Sequence, residues 1–402
     1  MHVQAPLEKL SERMMVGALV KRRNASVAWL ANELALPVST VGNVLNRLLD
    51  RGRVSRQEIP RGTRGRPQYA YTLRLAKPLA AFQFDGTQLA GSIFTSDLEP
   101  LAVEVFQLSP LRGKTEAAAA VRDMLHRLAG KTRVRISDLD GAAVAINAVN
   151  VRGGTISSSV LTWVDQGIES LLSDQLQLKT RVVSSPLLLA EYQLLDCPVQ
   201  PQSVAYLHVG DGVSGHFITG GAVHRGGAGL AGELGHVVAD INGPPCGCGR
   251  RGCLEAICSG PAIFSLIHER TAKSRAPAWL KRGHSVTSPR VIIEHLWQAW
   301  QDDEPGAKEL IDPILNTLAW GAGLMMNLID PEVVIAGGYV LENKPAWVRQ
   351  IALRAKPWIL HADARPIRFV AAQATTEDCL RIIASQYSHS ATRSAGFNAE
   401  AI

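Results

Sequence analysis

Four residues have the types and spacing of a metal site. His236, Cys246, Cys248 and Cys253 read H-x9-C-x-C-x4-C, and Gly243, Pro244, Pro245, Gly247, Gly249 and Gly252 lie among them. Tight Gly/Pro turns bring thiolates together. Zn²⁺ takes four N or S ligands in tetrahedral array, and a site closed by Cys and His alone is structural rather than catalytic. The alternative is a set of unrelated or disulfide-bonded thiols. The remaining cysteines (Cys197, Cys258 and Cys379) are scattered, and the start of the chain lacks the basic-then-apolar form of a secretion signal. A cytoplasmic location is therefore expected, where disulfides are rare, and structural Zn(2+) is the expected cofactor.

A second group of residues suits nucleic acid. Residues 1–75 hold 13 Lys/Arg against 5 Asp/Glu, a net +8, whereas the rest of the chain holds 29 against 31, a net −2. A basic head on a near-neutral body points to a polyanion partner for the head. Within it, LSERMMVGALVKRR reads as a helix with Leu10, Met14, Val16 and Leu19 near one side. Ser26 is positioned to cap a helix with Val27, Leu30, Ala31 and Leu34 at i, i+3, i+4 and i+7. Leu36-Pro37 ends it. A further helix starts near Ser39, with Val41, Val44, Leu45 and Leu48 inward and Thr40, Asn43, Asn46 and Arg47 outward. This is helix-turn-helix spacing. Ser39 and Thr40 can bond phosphate or base edges, Asn43 an adenine, and Arg47 a guanine or phosphate. The following β-prone stretch and returning strand (Tyr69–Leu73) form a wing. Arg61, Arg64 and Arg66 lie among its glycines, and Arg64-Gly65-Arg66-Pro67 resembles an AT-hook core suited to a narrow minor groove. Residues 1–74 are thus expected to form a winged helix-turn-helix domain with an Arg/Gly-rich linker, its partner double-stranded DNA.

The elements that must carry the metal motif belong to an α/β body. Strands are predicted at Leu79–Phe84, Ala90–Thr95, Gly141–Ile146, Thr180–Val183, Val204–Val209, Gly215–Thr219, Val333–Ala336 and Ile367–Ala371. Helices are predicted at Lys114–Ala129, Arg290–Gln301 and Lys308–Leu328. The 402 residues allow two to three domains. Hydrophobic content of 46% with 19% charged residues excludes a disordered or fibrous chain. No window approaches the ~18 uncharged apolar residues of a membrane span.

The run GDGVSGHFITGGAVHRGGAGLAGELGH (210–236), the cysteine cluster with Cys253-Leu254-Glu255, and LIDPE (328–332) leading into VVIAGG (333–338) resemble the ROK family of repressors, open reading frames and kinases. The helix-turn-helix and Gly-Arg-Pro linker resemble its repressor branch of NagC-like and xylose-repressor-like regulators. The resemblance implies an actin-like sugar-kinase fold of two α/β lobes around a cleft, usually dimeric or of higher homo-oligomeric order. The expected division is 75–185 for the first lobe, 186–387 for the second, and 388–402 for a mobile tail. It further implies that Glu233, His236 and Glu255 contact the hydroxyls of a sugar or sugar phosphate effector, with His236 also on the metal.

The chain departs from the kinase pattern at the groups that perform phosphotransfer. Where ROK kinases carry Asp-x-Gly-Gly-Thr, residues 84–89 read Phe-Asp-Gly-Thr-Gln-Leu, without the glycine pair. Where they carry Gly-Thr-Gly, this chain has Gly210-Asp211-Gly212, placing a carboxylate against phosphate. The Asn-Asp pair that holds the general base is replaced by Val182-Val183-Ser184-Ser185-Pro186-Leu187, and no aspartate lies between Asp174 and Asp196. Serine is not a base without an activating partner. The expectation is a non-enzymatic transcriptional regulator, a repressor of carbohydrate metabolism genes, with a residual sugar kinase as the alternative.

Overall fold

The computed structural model describes residues 4–59, 68–85, 87–108, 113–147, 149–151, 155–158, 163–165, 167–193, 203–219, 222–273, 278–281, 288–365 and 367–390. The head begins with helix α1 (Gln4–Lys21), the short strand β1 (Ala25–Ser26), α2 (Val27–Glu33) and α3 (Val38–Asp50). Strands β2 (Val54–Glu58) and β3 (Tyr69–Leu73) follow, and the three strands pair antiparallel in the order β1-β3-β2. Ser26 caps α2 as expected, its Oγ accepting from Trp29 N at 3.2 Å. Pro37 ends the turn and α3 starts one residue earlier than predicted, at Val38. Val41, Val44, Leu45 and Leu48 are all buried, so the apolar stripe read from the sequence is the inner face of α3.

The first lobe comprises β4 (Leu79–Phe84), β5 (Gln88–Phe94), β6 (Pro100–Gln107), α4 (Lys114–Thr132), β7 (Ala142–Ile146), α5 (Ile168–Leu176), β11 (Thr180–Ser184) and α6 (Ser185–Gln193). Between β7 and α5, β8 (Val149–Val151), β9 (Thr155–Ser158) and β10 (Trp163–Asp165) make a small antiparallel sheet. The main sheet has the order β11-β7-β4-β5-β6, with parallel pairing on both sides of β7. A strand flanked on both sides and covered on both faces needs an unbroken apolar run, and Ala142–Ile146 is buried throughout.

The second lobe holds β12 (Ser203–Val209), β13 (Val213–Thr219), β14 (Ala222–Val223), α7 (Leu254–Cys258), α8 (Gly260–Lys273), α9 (Ala278–Lys281), α10 (Pro289–Gln301), α11 (Ala307–Ile329), β15 (Val333–Gly337), α12 (Pro345–Ala355) and β16 (Arg368–Ala371). Its sheet runs β14-β13-β12-β15-β16. Helices α10, α11 and α12 cover one face with a core that includes Ile292, Leu315, Met325 and Trp347.

The chain closes with α13 (Thr376–Ser390), which corrects the domain division expected from sequence. Leu380, Ile383, Ala384 and Tyr387 share one core with Leu79, Ala81, Phe94 and Ala143 of the first sheet and with Met15 and Leu19 of α1. The last helix therefore belongs to the first lobe and the head. Its place next to the second lobe in the sequence hides the return of its apolar face, with Leu380, Ile383 and Tyr387, to the first sheet. It runs to Ser390, beyond the expected start of the tail, and residues 391–402 lie outside the described residues. The boundary at 185/186 also shifts, because α6 joins both lobes: Leu188 and Tyr192 pack with the first-lobe core and Leu189 and Ala190 with the second-lobe strands. Packing between the head and α13 gives α1 a buried face of Met15, Val16, Ala18, Leu19 and Val20, with Met14 of the predicted stripe only partly buried and the Leu10 side chain outside the described residues.

Candidate functional site

The metal-ligand residues converge. Single ligand atoms of His236, Cys246, Cys248 and Cys253 lie within 4.8 Å of one another. His236 Nδ1 is 3.7 Å from Cys246 Sγ, and Cys248 Sγ is 3.7 Å from Cys253 Sγ. Thiolates at ~2.3 Å from a tetrahedral zinc stand about 3.8 Å apart, so these four residues fit a closed structural site. The turns that bring them together depend on glycine. Gly252 has φ of +67°, and a Cβ there would lie 1.5 Å from Asp240 O, so no other residue fits. Burial raises the Cys246 thiol to about 12. At Cys248 burial pushes the thiol up, but hydrogen bonds from Arg250, backbone and side chain, together with those of Cys246 and Cys253, bring it down to about 6.

The three residues expected to contact a sugar gather around this cluster. Glu233 Oε2 is 3.6 Å from His236 Nε2. With Nδ1 turned toward Cys246, this is the arrangement in which a carboxylate orients a metal-ligating histidine. Burial raises the Glu233 carboxyl and Glu255 adds to it, while His236 opposes. Glu255 is buried, accepts from Val213 N at 3.1 Å, and its other oxygen lies 4.0 Å from Cys246 Sγ. Glu255 thereby ties the metal turn to the Gly210–Val213 turn. That strut was not anticipated from the sequence.

Where the lobes face each other, Asp85 and Thr87 of the first lobe meet Asp211 and Arg290 of the second. Asp211 is 6% exposed. Its Oδ1 accepts from the Tyr339 hydroxyl at 2.6 Å and its Oδ2 from Thr87 Oγ1 of the first lobe at 3.3 Å. Burial pushes its carboxyl up to about 6, and Asp85 pushes the same way against the Tyr339 bond, Arg290 and Thr87. Arg290, near the start of α10, reaches Asp85 at 3.4 Å and Glu342 at 3.5 Å, and its guanidinium lies 4.4 Å from the centroid of Tyr339. Gln83 bonds both Asp85 (3.2 Å) and Ser185 (3.3 Å). Ser185 stands where the general base was sought, with an amide as its hydrogen-bond partner. Neither Arg290, Tyr339 nor Glu342 carried a local sequence signal. Gly86 lies outside the described residues.

On the head, Ser39, Asn43 and Asn46 are exposed and Thr40 and Arg47 half-exposed, all on the surface of α3 away from its buried stripe. The first turn of α3 has no side-chain cap, leaving orphan N–H groups beside Ser39 and Thr40. Arg64 and Arg66, with Arg61, lie outside the described residues, so the wing arginines are not placed. Among the described residues, no helix is long and apolar enough to cross a membrane.

Two facing α/β lobes with a cysteine-lined turn beside the cleft define the class: this is the actin-like sugar-kinase fold. The ROK family pattern matches residues 80–381, and the chain belongs to the ROK family. An N-acetylmannosamine kinase of Escherichia coli is 30% identical over 262 residues, covering 62% of this chain and 80% of that protein. The solved structure of a ROK family transcriptional regulator, a homolog of the E. coli MLC protein, superposes with a TM-score of 0.64 at 18% identity, over 93% of this chain and 96% of that one. A ROK family glucokinase from Streptomyces griseus, solved with glucose and AMPPNP, gives a TM-score of 0.62 at 19% identity, over 76% of this chain and 98% of that one.

Proposed function

We propose that this protein is a DNA-binding transcriptional regulator, a repressor of carbohydrate metabolism genes, that senses a sugar in a kinase-like body without phosphotransfer activity. The observation that carries the reading is the union of two features in one chain. One is a basic head with a helix-turn-helix and β-hairpin, read as a winged helix-turn-helix domain. The other is a cleft with no carboxylate at the position of the general base and a buried carboxylate, Asp211, in the second phosphate loop. The similarity to the regulator structure spans more of this chain than the body alone contains, so it reaches into the head.

In this reading α3 lies in the major groove. Ser39, Thr40 and the free N–H groups of its first turn meet phosphate, while Asn43, Asn46 and Arg47 face base edges. Arg64 and Arg66 enter the minor groove. A homodimer places two α3 helices on half-sites about one helical turn apart. Glu233, His236 and Glu255 form the polar wall of the sugar site, anchored by structural zinc on His236, Cys246, Cys248 and Cys253. Effector binding alters lobe closure and so operator affinity, a coupling typically worth ~1–3 kcal/mol.

Selection of bound DNA from a random pool, repeated with a panel of sugars, tests this. A palindromic site, with affinity that falls steeply with salt and changes with one sugar, is the expected outcome. Failure to enrich any sequence would overturn it. The sugar-kinase reading draws on the similarity to N-acetylmannosamine kinase and requires sugar-dependent ATP turnover, for which no turnover is expected.

A further inference from the structure

The contacts at the interlobe end of the cleft form a single charge cluster. The first lobe contributes Asp85 and Thr87, and the second contributes Asp211, Arg290, Tyr339 and Glu342. Behind Glu342, Lys344 is 2% exposed and donates to Glu294 at 2.5 Å and to the carbonyl of Glu342 at 3.4 Å. Four carboxylates thus surround two cations, and both cations are already engaged. Arg290 divides its guanidinium between Asp85 and Glu342, and its face is covered by Tyr339. The imidazoles of the adjoining strands add no positive charge, because burial lowers His208 to about 3 and His216 to about 4.

We propose that this cluster is a built-in counter-ion site that closes the cleft to anions, so that the effector is an unphosphorylated, uncharged sugar, and sugar phosphates and nucleotides are rejected. The inference rests on the reading of the cleft as an effector site. A phosphate entering between the lobes meets Asp85, Asp211 and Glu342 in a poorly solvated space, where like charges repel strongly. The guanidinium that could compensate is held by carboxylates of both lobes. The same carboxylates tie the lobes together at Asp85–Arg290 and Thr87–Asp211.

Removing the carboxylates tests the idea, because it should create anion binding. Titration calorimetry at low salt with inorganic tripolyphosphate compares the full-length protein, the Asp85→Asn/Asp211→Asn variant, and that variant with Arg290→Gln added. The basic head contributes the same background to all three. The double variant is expected to gain at least tenfold in affinity over wild type, and Arg290→Gln to abolish the gain. Should the double variant fail to fold, Asp211→Asn alone is expected to show a smaller gain that also depends on Arg290. No gain, or a gain in the double variant that added Arg290→Gln leaves unchanged, overturns the proposal. In parallel, thermal shifts with glucose and N-acetylmannosamine are compared with those of their 6-phosphates. Stabilisation by a 6-phosphate sinks this inference and leaves the regulator reading standing. Failure to select any operator sinks the regulator reading and leaves the anion exclusion intact.

Discussion

At the scale of single residues, the structure separates groups held by chemistry from groups held under strain. Asp211 belongs to the second kind. Burial raises its carboxyl from 3.8 to about 6, so between those values the folded state binds more protons than the unfolded state. Stability therefore falls as pH rises through that window, and the full penalty is present above it. Asp211→Asn keeps an acceptor for Tyr339 and reverses the Thr87 contact, its amide donating to the Thr87 hydroxyl, while removing the charge. It is expected to raise stability by about 1–3 kcal/mol at pH 7 and to give no gain near pH 4. Urea denaturation at the two pH values checks this, and an equal effect at both would show that charge is not the cause. The metal turn makes the opposite case. Elemental analysis is expected to find about one zinc per chain. Cys246→Ser or Cys253→Ser should lose it, lower the melting temperature and speed hydrogen exchange in the Asp240–Cys253 turn. Unchanged metal content in both variants would remove the four residues from any metal role.

At the scale of elements, α3 shows how a helix keeps its two faces independent. Leu45 is fully buried in the head core, so Leu45→Ala should destabilise the protein by about 2–5 kcal/mol. Asn43 is exposed on the other face. Asn43→Ala should leave stability within ~0.5 kcal/mol and weaken binding to the selected operator by about 1–3 kcal/mol, with relaxed preference at one base pair. Equal weakening across all sequences would reassign Asn43 to phosphate. The same two-faced logic explains what could be read from the sequence. The head helices announced themselves through spacing, and β7, β12 and β15 through short apolar runs, because burial on both faces permits little else. β6 was missed because Leu101, Val103 and Val105 are exposed on an edge strand, a pattern that short-range reading does not separate from a loop. The four candidate metal ligands could be picked out because they all fall within eighteen residues, His236 to Cys253. The Asp85–Arg290–Glu342 contacts were not, since topology alone brings Arg290 to Asp85, 205 positions away, and to Glu342 in a different element.

At the scale of the whole molecule, α13 packs against the first sheet, against α6 and against α1 of the head. Just before it, Gln373 and Gln193 exchange two hydrogen bonds, Gln193 Nε2 to Gln373 O and Gln373 N to Gln193 Oε1, at the end of the helix that spans both lobes. Along α13, Arg381 is 5% exposed, donates to Leu98 O at 3.2 Å, and pairs with Glu377 and Asp378. Glu377 also receives Arg23 of the head at 2.9 Å, and Arg23 pairs with Glu99 on the other side. The two arginines differ in what their loss leaves behind. Arg23 is 45% exposed, so its ion pairs contribute roughly 0–1 kcal/mol to stability, and Arg23→Ala should barely move the melting temperature. Arg381→Ala takes the buried guanidinium from the Leu98 carbonyl, while Glu377 keeps Arg23 and Asp378 keeps Thr375, and should destabilise by about 1–3 kcal/mol. If the Arg23 pairs orient the head on the body, Arg23→Ala keeps operator affinity within a few-fold while reducing the change in that affinity caused by the effector. Titrations of operator DNA with and without the sugar read this directly. Full effector response in Arg23→Ala would place the coupling in the apolar contact between α1 and α13, where Leu380→Ala is the next variant to measure.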